Sequence, residues 1–268
     1  MTISNGSLKL FSLFGITVYV HWSWLLVAII AIQFRANMYH SSMWNVVEYL
    51  SLFGIVLMHE FGHSLACKSV GGRAEKIMLW PLGGIAFVSP PMRPGALLWS
   101  IFAGPMVNII LLPITMAAAV YAEAARPGTD IATYISMIAN INLVLLVFNM
   151  IPVYPLDGGQ ILHALLWFPL GYTKSLRISA IIGILGAVAL GVVFYKLNFG
   201  AFSFVILAFI GLQAWNGLRL AQFLAKNPQA AMQLQQQADG GEQVLLEEDP
   251  QQRDNNEGRI HPPAPFDR

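Results

Sequence analysis

The chain has a single cysteine, Cys67, among 268 residues, so no intrachain disulfide can hold it together. Charge is scarce: 11% of residues are Asp, Glu, Lys or Arg, against 56% hydrophobic and a mean hydropathy of +0.59. That apolar share exceeds the share in an ordinary globular domain. Acidic side chains are rarest where the chain is most apolar. Of 14 Asp and Glu, eight follow residue 227, which leaves Glu48, Glu60, Glu75, Glu123, Asp130 and Asp157 for the whole body. A basic excess is missing as well. A net charge of +1 and a pI near 7.9 lack the basic face that nucleic acid requires, so no nucleic-acid partner is expected. The opening MTISNGSLKLFSLFG has one basic residue and no apolar core before a small-residue cleavage site, so no cleavable signal peptide is expected. Internal repeats and a second globular domain are also absent from the pattern.

Long apolar runs, by contrast, are plentiful. A bilayer core needs about 20 apolar residues per spanning helix. That ruler gives about six candidates, near Ile16–Phe34, Val46–Cys67, Ala96–Tyr121, Ile131–Met150, Ile178–Phe194 and Ala201–Leu224. These runs are apolar all round rather than striped, which favours lipid over a soluble core. The expectation is an all-α polytopic membrane protein in the lipid bilayer. Counted from an N-terminus in the cytoplasm, the cytoplasmic connections hold Lys9, Lys68, Arg73, Lys76, Arg93, Lys174, Arg177, Arg219 and Lys226, and the far side only Arg35, Arg126 and Lys196. The positive-inside rule then puts both ends in the cytoplasm. The stretch 228–268, rich in Gln and acids and ending in HPPAPFDR, cannot bury enough apolar surface to fold and is expected to be a disordered polar cytoplasmic tail behind a domain of residues 1–227.

Two histidines and a glutamate interrupt the second run, in GIVLMHEFGHSLAC. His59 and His63 are four apart and share one helix face, so both imidazoles can reach one metal ion. Glu60 between them completes the H-E-x-x-H pattern of zinc hydrolases, in which the glutamate is the general base. The bland alternative is a pair of buried histidines bonded to neighbouring helices, with Glu60 paired to Lys68 or Arg73. Ionisable residues at membrane depth are functional by default, which favours the metal. Catalytic zinc wants a third protein ligand and an open position. Glu48 lies about three turns away on the same helix, too far to reach, and Asp157 is the strongest candidate. It stands in FNMIPVYPLDGGQILHALL, where Pro152 and Pro155 break the helix, a break tolerated at membrane depth only inside protein or along a cavity. Asp157 could equally cap the helix that follows; the two roles are compatible.

HEFGH in the second segment and NMIPVYPLDGG after the fourth, with AGPMVN and WPLGGIAFV between them, resemble the site-2 protease family of intramembrane zinc metalloproteases. The flanking VHWSWLL is similar to the branch that includes bacterial sporulation-factor-processing proteases. The resemblance implies one Zn2+ per chain held by His59, His63 and Asp157, Glu60 as catalytic base, and Asn149 holding the substrate or its developing oxyanion. It also implies cleavage of a single-span membrane protein, a regulator cut within or near its transmembrane segment. The location would be the bacterial inner membrane with the site towards the cytoplasm, and a regulatory membrane partner would fit that role. The chain departs from some relatives in having no PDZ-like insert and no C-terminal nucleotide-sensing domains. A metal transporter or sensor without proteolytic activity is the alternative, although transporters usually show repeated halves.

Weaker readings concern the remaining groups. GGIAFV, Gly83–Val88, follows Pro81 and carries β-branched and aromatic residues after two glycines, which suggests a short strand in a re-entrant loop. Its edge, Gly83, Gly84, Ile85 and Ala86, would bind an unwound substrate by main-chain hydrogen bonds; an ordinary interfacial loop is the other reading. His21 is expected to be a packing histidine, and His163 an exposed or interfacial side chain.

Overall fold

A strand alternates its side chains and a membrane helix does not, and that difference divides the first expected span in two. The computed structural model describes residues 3–233 apart from 5, 36, 81, 82, 199 and 231. Strand β3 (Ile16–His21) takes the first half of that span and helix α1 (Ser23–Phe34) the second. In ITVYVH, Ile16, Val18 and Val20 are buried while Thr17, Tyr19 and His21 are only partly covered, a period of two. The 12 residues of α1 rise about 18 Å, short of the ~30 Å hydrocarbon core.

Five helices among the described residues are long and apolar enough to cross: α2 (Ser42–Ser69), α3 (Pro94–Ala125), α4 (Asp130–Met150), α6 (Tyr172–Lys196) and α7 (Ala201–Lys226, of which Ser203–Lys226 qualifies). The protein is therefore a mostly helical polytopic membrane fold, with five candidate spans among the described residues. The short helix α5 (Asp157–Leu170) follows the proline-broken stretch. Residues 234–268, most of the expected disordered tail, lie outside the described residues.

The β structure is larger than the single strand expected. Strands β1 (Ile3–Ser4), β2 (Ser7–Leu13), β3, β4 (Arg73–Trp80) and β5 (Gly83–Ser89) form one sheet in chain order. All neighbours are antiparallel except β3 and β4, which pair in parallel from Thr17↔Lys76 to Val20↔Leu79. The inner face of the sheet, Ile16, Val18, Val20, Ile77 and Leu79, packs on Phe53, Val56, Leu57 and Phe61 of α2. This burial holds the sheet against the zinc-motif helix and leaves β5 as the edge strand beside Glu60.

Close approach fixes the helices around the motif. A Cβ on Gly62 of α2 would lie 2.6 Å from the backbone oxygen of Ala103 on α3, the small-residue contact by which membrane helices pack. Beyond α4, the broken stretch packs against protein through Val153, which is buried, and Tyr154, as non-helical backbone in a membrane protein requires. A Cβ on Gly183 of α6 would meet the carbonyl of Tyr154 at 2.7 Å, and Val153 packs with Ala187 and Ile210 of α6 and α7.

Candidate metal centre

His59, Glu60 and His63 are all buried in the C-terminal half of α2. The 28-residue helix is about 42 Å long, and His59 lies about 15 Å from its C-terminal end. Asp157 comes from the first turn of α5; Leu156 holds the N-cap position and no side chain caps this helix, so Asp157 does not take the capping role. His59 Nε2 lies 3.0 Å from Asp157 Oδ2, His63 Nε2 lies 3.4 Å from the same oxygen, and the two Nε2 atoms are 3.1 Å apart.

The second nitrogens of both rings settle what those atoms can do. His63 Nδ1 sits 2.9 Å from the Ser100 carbonyl oxygen, which only accepts, so Nδ1 carries the proton. His59 Nδ1 sits 2.6 Å from Asn108 Oδ1. Asn142 Nδ2 donates to the Asn108 backbone carbonyl at 3.0 Å, so its Oδ1 is turned to Asn108 Nδ2, which donates at 2.7 Å. The Asn108 side-chain oxygen must then accept from His59. In the neutral form of each ring, the form that binds a metal, Nε2 is then the bare nitrogen.

Three acceptors thus converge: two nitrogen lone pairs and Asp157 Oδ2, a buried oxygen with no hydrogen-bond partner. Without a cation between them they repel one another. Zinc–nitrogen bonds of about 2.0–2.1 Å in a tetrahedron require donor atoms about 3.3 Å apart, close to the three separations. His59, His63 and Asp157 can hold one metal ion among the described residues, and the donor set, two imidazoles and a carboxylate, suits zinc. Ring nitrogens pinned by carbonyl oxygens are the usual support of metal-binding histidines.

Around the three ligands lies a cavity of about 380 Å³ lined by Glu60, Gly84, Ala86, Asn149, Gln160 and Gln213, among others. Glu60 pairs with neither Lys68 nor Arg73; its Oε2 accepts from the Ala86 N–H at 2.8 Å. Since adjacent N–H groups of a strand leave by opposite edges, Ala86 faces the cavity, and Ile85, opposite Met78, faces β4. Gly84 and Gly104 make the room. A Cβ on Gly84 would overlap the Glu60 carboxyl, and one on Gly104 would overlap the His63 ring. Asn149 lines the same cavity from the end of α4. Glu48 is elsewhere, bonded to Arg35 at 2.9 Å and to Tyr39.

Residues 47–125 and 112–193 match the family described as Peptidase family M50. The chain belongs to peptidase family M50. It is 36% identical over 179 residues to a zinc metalloprotease of Methanocaldococcus jannaschii, covering 67% of this chain and 51% of that one. It is 29% identical over 134 residues to stage IV sporulation protein FB of Bacillus subtilis, covering 48% and 44%. The chain thus spans about half the length of the curated relatives it matches. The solved site-2 protease from Methanocaldococcus jannaschii superposes with a TM-score of 0.59 at 30% identity, over 79% of this chain and 95% of that one.

In this M50 chain the sequence reading gave no role to two supporting residues, Asn108, which closes AGPMVN, and Asn142, both fully buried. The available signal was an amide inside an apolar run, where an unpaired polar group is costly. His21 packs as expected, stacked on Trp80 and bonded to Ser23. His163 is not exposed or interfacial. It is buried, 3.0 Å from Ser175 Oγ and stacked on Trp167, because α6 returns Ser175 to it 12 residues later.

Proposed function

We propose that the chain is an intramembrane zinc metalloprotease that hydrolyses peptide bonds within or near the transmembrane segment of membrane-anchored regulatory proteins. The observation that carries this reading is the convergence of three buried acceptors beside a carboxylate in a cavity walled by the β5 edge strand. An ion pathway would need no such edge, and the open edge favours a peptide over a transported ion. Bound to His59, His63 and Asp157, zinc supplies the Lewis acidity that makes water a nucleophile near neutral pH.

The chain's own groups do the rest. Glu60 takes a proton from the attacking water and returns it to the leaving amine, as a positioned general base and acid. The Ala86 N–H aims the Glu60 carboxylate from the strand side. Asn149 donates its amide N–H to the carbonyl oxygen as charge builds there. The outward main-chain groups of Gly84 and the Ala86 carbonyl receive the unwound substrate as an added strand, with Gly83 and Ile85 holding that edge in register; freed peptide groups at this depth need such partners. The nine Lys and Arg at the sheet-bearing end, against three at the other, support a cytoplasmic face for the site in a bacterial inner membrane. A single-span substrate and a regulatory membrane partner belong to the same reading, as does a separate polar tail over 228–268.

Glu60→Gln keeps a carbonyl acceptor for Ala86 and removes the base. The purified variant should retain zinc and lose proteolysis, and a single-span protein should accumulate uncut in membranes of cells carrying it. Wild-type cutting rates in a zinc-loaded Glu60→Gln protein would refute the assignment.

A further inference from the structure

Beyond the C-terminal end of β5 lies a second, smaller cavity that the chemistry above does not use. It is about 220 Å³ and is lined by Val88, Leu97, Tyr154, Gln160, His163 and Trp167, among others. Val88 and Gln160 also line the metal cavity, so the two spaces adjoin along the same strand edge. Gln160 is held at the junction by donating to the Pro155 carbonyl at 2.9 Å. From Ala86 to Val88 and Ser89 is two to three residues, about 7–10 Å of strand. A peptide added to β5 with its reacting bond at Glu60 therefore carries a side chain to this cavity.

The lining specifies which side chain. The cavity is smaller than the roughly 300–1,000 Å³ of small-molecule pockets, so it suits one side chain. None of its lining residues is charged, so a charged group would be desolvated there without a counter-ion. Trp167, Tyr154 and Tyr172 offer aromatic surface. His163 offers the polar contact. Ser175 Oγ donates its one proton to the Tyr172 carbonyl at 2.8 Å, so it accepts from His163 Nδ1 at 3.0 Å, and Nε2 is left unprotonated. Burial pushes the His163 pKa down to about 4, which keeps the ring neutral. A neutral acceptor among aromatic rings pairs with an aromatic side chain that carries a donor.

We propose that this cavity is a specificity subsite that receives a tyrosine or tryptophan side chain of the substrate, two to four residues from the cleaved bond. The inference rests on the protease reading, and the strand edge is its link to the metal centre. An added strand antiparallel to β5 puts that residue on the N-terminal side of the cut; a parallel one puts it on the C-terminal side.

The test is a cleavage-site profile. The zinc-loaded full chain in detergent is given a peptide mixture made by endoprotease Lys-C digestion of a membrane fraction, and zinc-dependent new termini are sequenced by mass spectrometry. Expected is one position, two to four residues from the cut, with Tyr and Trp enriched several-fold over Phe. His163→Phe keeps a ring and removes the acceptor, and should erase the preference for Tyr over Phe within its own cuts. Leu97→Trp fills the cavity and should shift the same position to small residues, which gives a second reading if His163→Phe fails to fold. Zinc content identifies folded protein in each case. A flat wild-type profile, or folded variants with wild-type profiles, would overturn the subsite and leave the protease standing. No zinc-dependent cut at all would overturn both.

Discussion

Asn108 touches no substrate and no metal, yet its loss should be felt at the metal first. Asn108→Ala strips His59 Nδ1 of the oxygen it donates to at 2.6 Å and strips Asn142 Oδ1 of its donor at 2.7 Å. Each buried polar group left unpaired costs about 1–3 kcal/mol, so stability falls by about 2–6 kcal/mol if neither finds water. The metal sees a smaller, specific part. With the ring tautomer and orientation released, zinc affinity should drop about 10–100-fold, or about 1.4–2.7 kcal/mol. Asn142→Ala leaves the His59–Asn108 contact in place and removes only its brace, so its effect on zinc should be the smaller of the two. Because both variants break one chain of bonds, the double variant should weaken zinc by less than the product of the singles. Competition with a chromophoric chelator, on detergent-purified protein checked for monodispersity, reads all three affinities. A zinc Kd for Asn108→Ala within about twofold of wild type would refute the reasoning, since it lies below the loss expected from an outer-shell partner.

Three further expectations follow from the same geometry. Gly104→Ala pushes a methyl group into the His63 ring and should cost zinc affinity about tenfold or more; Gly84→Ala pushes one into the Glu60 carboxyl and should keep zinc while lowering cleavage by up to about 100-fold. Equal zinc loss in both, measured by metal analysis, would contradict the division of roles. Ala86→Pro removes the N–H that holds Glu60 and should fold, keep zinc and lose most cleavage, whereas Ile85→Pro removes one facing β4 and should lower the melting temperature; wild-type cleavage by folded Ala86→Pro would end the role given to that N–H. Substituted-cysteine labelling should place Lys76 and Lys174 on one side of the membrane and Arg126 on the other, with little background because the native Cys67 is buried; Arg126 and Lys174 on the same side would break the topology.

What the sequence made legible was whatever is written locally. Four-residue spacing in HEFGH, a proline-broken stretch before Asp157 and a glycine-led strand at Gly83 are each readable within a few residues. So are the spans that became α2, α3, α4, α6 and α7. Strand β3 was hidden because hydropathy counts apolar residues without their phase, and ITVYVH flows into an apolar helix. Pairing was hidden as well. Asn108 and Asn142 are 34 residues apart, and nothing near either one announces the other. His163 was misjudged for the same reason: its partner arrives with the next helix.

The parallel pairing of β3 with β4 also fixes an order of events during synthesis. Parallel neighbours need a long crossover, and here the crossover, residues 22–72, contains α1 and the whole of α2. At 5–20 residues per second, the ribosome takes about 3–10 s to make it. The first strands therefore wait for their partner until the helix bearing His59, Glu60 and His63 has been delivered. β5, whose edge would take the substrate, is made later still.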